Sequence, residues 1–203
     1  MMRYENVRTT VPILAMLVAL LGGCGRSAPT RFYVLTSSLG SEQKASAQAS
    51  AEQLAIRIGP VEFPKYLDRP QMVSATSGNR LKVAEFDRWA EPLEESFTRV
   101  LTENLSNLLS TERIVLFPWK GGGPVDFWIT VKVLRFDGTS RGEVLLIARW
   151  TILGPDENEL TPPRRSRISV STRGTGYEGV AVAMSEALGQ LSREIVTEIS
   201  AHR

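Results

Sequence analysis

Three groups of residues have the types and spacing that chemistry could use. Gly174-Thr175-Gly176-Tyr177-Glu178-Gly179 spells G-x-G-x-x-G between a strand-like and a helix-like segment. Such a turn can lay backbone N–H groups against a pyrophosphate, but dinucleotide binding also needs a following parallel strand with an acidic residue for the ribose. Here the helical pattern runs to the end of the sequence, so the glycines read as a tight strand-to-helix turn. Lys120-Gly121-Gly122-Gly123 places its lysine ahead of the glycines, and no Gly-Lys-Ser/Thr follows. That order does not make a P-loop and reads as a flexible tip. Asp68, Glu85, Asp87 and Glu91 could do acid–base work if they converged and one had a raised pKa. Nothing in their spacing forces this, and the neighbours Asp68-Arg69 and Asp87-Arg88 read as ion pairs or exposed charges.

The remaining counts narrow the chemistry further. The chain of 203 residues has one histidine, His202, and one cysteine, Cys24. A Ser-His-Asp triad, a Cys-His nucleophile and a zinc cluster all lack their parts, and no disulfide within the chain is possible. No cofactor and no metal is expected. Lys plus Arg is 24 and Asp plus Glu is 22, a formal charge of +2, which argues against a nucleic-acid partner.

Cys24 does fit one chemistry. Arg3 and Arg8 precede an uncharged run from Val11 to Leu21, and Leu21-Gly22-Gly23-Cys24 follows. The run is too short for a bilayer core, which takes about 20 residues, and suits the h-region of a secretory signal. The four residues resemble a bacterial lipobox. Residues 1–23 are therefore expected to be a lipoprotein signal peptide, and Cys24 the lipidated first residue of the mature chain. Loss of Arg3, Arg8 and Glu5 lowers the formal charge to +1. Residues 24–29 form a tether with an extended reach of roughly 20 Å. Gly25 stands where inner-membrane retention typically uses Asp, which implies an outer-membrane destination.

The elements that must position these residues follow from periodicity. Arg31–Leu35 reads as a short strand, and residues 36–53, rich in Ser, Ala and Gln, as a mobile linker. Leu54–Phe63 alternates as a strand ending near Gly59-Pro60, and Pro64–Pro70 is a loop. Gln71–Ala75 and Leu81–Phe86 are two strands joined by a turn. Leu93, Phe97, Val100, Leu101 and Leu105 mark a helix that opens at Pro92, with a strand at Arg113–Phe117 completing a crossover unit. Val125–Phe136 and Glu143–Leu153 form a hairpin that turns from Asp137-Gly138 to Arg141-Gly142. Arg165–Thr172 is a further strand, and a last helix spans about Glu178 to Ala201. Buried tryptophan is the default, but Trp128 lies opposite Ile129 and Val131, so Trp128 or Trp150 is a candidate for an exposed interaction face. The expected fold is α/β, α+β-like: a single mixed sheet of about six to seven strands with two long amphipathic helices packed on it, in one domain over residues 30–203.

The run Ile58-Gly59-Pro60-Val61-Glu62-Phe63-Pro64-Lys65-Tyr66-Leu67-Asp68-Arg69-Pro70-Gln71-Met72-Val73 resembles the signature of the ABC-type transport auxiliary lipoproteins. Asp87-Arg88-Trp89-Ala90-Glu91-Pro92-Leu93 is similar to their second motif, and Phe32–Leu35, Arg135–Gly138 and Ala148–Trp150 fit the rest. The resemblance implies a non-catalytic lipoprotein under the outer membrane. Its partners would be an MCE-domain periplasmic protein with an inner-membrane permease or ABC transporter, and it would assemble as a homo-oligomeric ring. It assigns no chemistry to Tyr66, Leu67, Asp68, Arg69, Asp87, Arg88 or Trp89, which are read as partner contacts or as pins for loops at the sheet edge. The competing expectation is a pilot or assembly lipoprotein for another outer-membrane complex; an envelope hydrolase lacks a base.

Overall fold

The computed structural model describes residues 28–38, 54–77, 79–119, 123–174 and 176–203. The elements run β1 (Arg31–Tyr33), β2 (Ile56–Glu62), a 3-10 turn (Lys65–Leu67), β3 (Gln71–Ser77), β4 (Arg80–Trp89), α1 (Leu93–Leu109), β5 (Ile114–Leu116), β6 (Phe127–Thr139), β7 (Glu143–Leu153), β8 (Arg164–Ser171) and α2 (Gly176–Ser200). They form one mixed sheet of eight strands with two helices, the expected class with one strand more than expected.

Strand β6 is the spine. On one edge it pairs antiparallel with β7, which pairs antiparallel with β8. The other edge is shared: residues 127–132 take β2 in parallel, and Gly138 and Thr139 take β3. Beyond β2 lies β5; beyond β3 lie β4 and then β1. Tyr66, in the 3-10 turn between β2 and β3, donates its hydroxyl to Asp137 of β6 at 2.8 Å.

Alternation along β6 puts Phe127, Ile129, Val131 and Val133 on the inner face, all buried. A register shift between Val133 and Arg135 then reverses the parity. Phe136 and Gly138 return to the inner face, and Arg135 and Asp137 turn outward. Asp137-Gly138, expected to turn the chain, is therefore strand. The glycine is needed for packing, because a Cβ there would meet Ser74 Oγ at 3.2 Å and Val180 at 3.5 Å.

Both helices cover the inner face. Phe97, Val100, Leu101 and Leu105 of α1 and Met184, Leu188, Leu191 and Ile195 of α2 are buried against it. Each large side chain so buried contributes about 1.5–3 kcal/mol of transfer free energy. Phe97 is the hub, edge-to-face with Phe63 at 5.2 Å and with Phe136 at 5.5 Å. Between the helices Asn104 donates to Ser192 at 3.1 Å. The start of the expected linker is bound here: the Thr36 N–H donates to Ser185 Oγ at 3.1 Å and the Ser37 hydroxyl to Asn104 Oδ1 at 2.7 Å. Residues 39–53 lie outside the described ones.

Three further expectations are corrected. Strand β2 does not end near Gly59-Pro60 but continues to Glu62 across a register shift between Ile58 and Val61. Gly59 has φ +117°, and a Cβ there would come within 2.6 Å of Phe117 Cβ, so only glycine fits. Helix α1 does not make a crossover between parallel neighbours: β4 and β5 run in opposite directions with β3, β6 and β2 between them. The strand expected over Leu81–Phe86 runs on through Asp87, Arg88 and Trp89, which pair in parallel with Arg31, Phe32 and Tyr33.

Candidate functional site

The two sequence motifs meet. Gln71 registers opposite Arg88, and the Trp89 N–H donates to the Pro70 carbonyl at 2.7 Å. The segment from Phe63 to Pro70 and the segment from Trp89 to Glu95 thereby become the two walls of an open groove of about 510 Å³. Its floor is apolar: Leu67, Trp89 and Leu93 are buried and Phe63 is half-buried. Its rim carries Asp68, Arg69, Glu91, Glu94 and Glu95. Pro92 precedes α1 with extended backbone, and Glu94 and Glu95 fill the first turn, where carboxylates interact favourably with the helix dipole.

The seven motif residues divide by direction. Leu67, Asp68, Arg69 and Trp89 line the groove. Tyr66 instead reaches Asp137, which also accepts from Arg135 Nη2 at 2.9 Å. Burial, then the bond to Asp137, raises the Tyr66 hydroxyl pKa above its ordinary value. Asp87 points to β1. Its carboxylate accepts from Arg31 Nε at 2.7 Å, from Arg31 Nη2 at 2.9 Å and from the Tyr33 hydroxyl at 2.8 Å. The Arg31 bonds hold its pKa below the usual carboxylate range, outweighing the burial that would raise it. Arg88, on the other face of β4, is half-buried, and its Nε has no hydrogen-bond partner among the described residues. Asp68 is exposed, and Lys65 lies 3.5 Å from its carboxylate.

This geometry holds no reactive set. A general acid needs a raised carboxyl pKa. Asp87 and Glu91 are shifted the other way, Glu91 by Arg99 at 2.6 Å and then by Ser96. His202 is exposed, its Nδ1 2.9 Å from the Glu198 carbonyl of its own helix end. Among the described residues no three His, Cys, Asp or Glu side chains group as metal ligands. Gly174 and Gly176 have φ of +86° and +79°, and a Cβ on Gly179 would meet the Arg173 carbonyl at 2.6 Å. These glycines make the β8-to-α2 turn, and Thr175 lies outside the described residues. So do Cys24 and Lys120 to Gly122.

The tryptophans separate cleanly. Trp150 is buried and donates to Ser166 Oγ at 2.8 Å. Trp128 is the outward one, half-buried, donating to the Gly59 carbonyl. It meets Trp119 edge-to-face at 5.1 Å, and Arg57 lies 5.4 Å from the centre of the Trp119 ring. Periodicity missed Arg31 and Tyr33 as partners of Asp87 and Arg135 as partner of Asp137. The available signal was an acidic residue on the same strand face as Trp89: a carboxylate buried there requires a cation.

The comparisons with known proteins agree with this architecture. The chain is 24% identical over 187 residues to the intermembrane transport lipoprotein PqiC of Escherichia coli K12, covering 92% of this chain and 96% of that one, and equally to PqiC of Shigella flexneri. The crystal structure of an uncharacterized protein superposes with a TM-score of 0.69 at 21% identity, covering 85% of this chain and 99% of that one. A crystal structure from Xanthomonas campestris gives 0.66 at 17%, covering 82% and 93%. The pattern described as the ABC-type transport auxiliary lipoprotein component matches residues 33–196, which take in both motifs, the groove and nearly all of the sheet. The chain therefore belongs to that family of auxiliary, non-catalytic transport lipoproteins.

Proposed function

We propose that this lipoprotein docks the periplasmic MCE-domain channel of an intermembrane transport system at the outer membrane. The observation that carries this reading is the groove: two motifs from different parts of the chain build one open, apolar-floored, acid-rimmed surface with no reactive centre. Such a surface suits a partner segment with an apolar anchor flanked by cations. The likeness to PqiC over 92% of the chain supports the intermembrane setting. Among the described residues no helix is long and apolar enough to cross a membrane; in this reading, acyl chains on Cys24 hold the protein at the periplasmic face, and residues 24–29 keep it close. Three acyl chains would bind far beyond the marginal hold of one. Copies of the chain assemble in a ring, for which the outer edge of β4 over Arg80–Phe86 is available: β1 covers only Asp87 to Trp89, and Leu81 and Val83 are exposed.

The test is capture of the encoded MCE-domain protein by the native lipidated chain. Co-purification that is lost on Glu94→Arg with Glu95→Arg is the expected result; no binding at micromolar concentration overturns the reading. Intact-mass measurement of native material should find Cys24 as the acylated first residue, and a bare thiol or a retained leader removes the anchor.

A further inference from the structure

Strand β7 sits between β6 and β8 with its outward residues uncovered by either helix. The register places Lys132, Arg149 and Arg165 side by side across these strands, and Arg167 two residues along β8 on the same face. Lys132 is neutralised by Glu62 at 2.7 Å. Arg149, Arg165 and Arg167 are exposed, and among the described residues none of them has an ion pair or a hydrogen bond from its side chain. Like charges directly opposite on neighbouring strands are destabilising. The fold nevertheless sets Arg149 directly across from Arg165.

Two features of the same face say what would relieve that repulsion. Beside the arginine row is a recess of about 280 Å³ lined by Arg135, Arg141, Arg167, Thr139, Ser140, Glu143 and Ser169, in which Arg135 is paired with Asp137 and Ser169 donates to Glu143, leaving Arg141 and Arg167 as its open guanidiniums among the described residues. Guanidinium forks and hydroxyls are the donors that phosphate oxygens take. At the other end of the face Trp128 and Trp119 meet edge-to-face, with Phe117, 54% exposed, against Trp119 at 5.2 Å. Aromatic rings of this amphipathic kind settle at the headgroup level of a bilayer. A soluble acidic partner would satisfy the arginines alone; a phospholipid surface satisfies the arginines and the aromatic cluster together.

We propose that the outer face of β6, β7 and β8, which neither helix covers, is a docking surface for the anionic headgroups of a phospholipid bilayer. The folded domain, and not only its anchor, then contacts the membrane. This inference does not rest on the docking role proposed above: a chain that binds vesicles through this face and ignores every MCE-domain protein keeps the one and loses the other.

The experiment uses the full chain with Cys24→Ser, so that no acyl chain contributes. It is co-sedimented with vesicles of phosphatidylcholine alone or mixed with phosphatidylglycerol. All variants share the leader with its Arg3 and Arg8, so its contribution cancels between the two triple variants. Each arginine near an anionic surface is worth about fivefold, so the three together give a preference on the order of 100-fold for anionic vesicles, reduced by added salt. Arg149→Gln with Arg165→Gln and Arg167→Gln removes that preference, whereas the charge-matched Arg173→Gln with Arg193→Gln and Arg203→Gln keeps it. If the first triple variant fails to fold, Arg149→Gln alone should lower the preference about fivefold. Equal binding to both vesicles, or equal loss in both triple variants, overturns the proposal. Titration with inorganic phosphate distinguishes the source: heat abolished by the first triple variant, without vesicle binding, assigns the face to a free anion and overturns the bilayer.

Discussion

Two edges of this branched sheet treat charge in opposite ways. At β1 and β4 a buried carboxylate, Asp87, receives three hydrogen bonds from two residues at the start of the domain sequence. At β7 and β8 Arg149 and Arg165 face each other in the open with no carboxylate partner among the described residues. The first arrangement is complete within the chain, so its worth is to stability: it holds the short strand β1 on β4 behind the groove. The second is left to solvent within the chain, and the proposed bilayer contact would complete it.

The sharpest break of this comparison is at Asp87. Asp87→Asn removes the charge from a site that accepts three bonds and should cost about 2 kcal/mol in urea denaturation. The same variant gives the pH test. The folded pKa of Asp87 lies below its unfolded value of about 3.9. The stabilisation it supplies is therefore present above that unfolded value and is lost as pH falls through the folded one. At neutral pH the parent exceeds the variant by the full difference, and below about pH 4 the gap closes. A gap independent of pH would show that Asp87 acts by packing alone.

Much of this fold was legible, and the misses have physical causes. Glu143–Leu153 reads as one strand and is one, because both its faces need apolar cover: the inner by the helices, the outer in part by its neighbours. Helix α1 was legible from Leu93, Phe97, Val100, Leu101 and Leu105, since one stripe at the helical period has one explanation. Asp137-Gly138 was misread because a glycine after an acidic residue signals a turn equally with a close helix approach. Asp87 reads as ion-paired or exposed, and the residue opposite it, Arg31, 56 positions away, decides for the ion pair. The groove was half legible: the motifs were visible as motifs, but their meeting depends on the pairing of β3 with β4. The arginine face was hidden for a different reason. Net charge is a sum, and a near-neutral sum conceals a fold that brings Lys132, Arg149, Arg165 and Arg167 onto one face.

Tyr66 tests the intermediate case, a buried acid held from both sides. Tyr66→Phe leaves Asp137 its bonds from Arg135 and removes one donor, so the expected loss is about 1 kcal/mol. The effect should be smaller than that of Asp87→Asn, because the remaining cation still neutralises the carboxylate. In the parent, the raised Tyr66 pKa means this contribution is complete below the unfolded value near 10 and is lost as pH rises through the folded one. Chemical denaturation of parent and variant at neutral and at strongly alkaline pH should show the difference shrinking at the alkaline end.

The smallest effect has the opposite sign. Arg165→Thr removes one of the two facing guanidiniums and puts a β-branched residue on an exposed strand position. Relief of like-charge repulsion across the pair should stabilise the chain by about 0.5 kcal/mol, and Arg149→Thr should do the same. The double variant should gain less than the sum of the two, because the repulsion is removed only once. That sub-additivity is the signature of a direct clash rather than of two independent gains in strand propensity. Additive gains would mean that the arginines do not feel each other, and the contrast with Asp87 would then be one of burial alone. Added salt supplies an independent check: it should raise the stability of the parent towards that of the single variants, since screening acts on the exposed pair and leaves the buried carboxylate almost untouched.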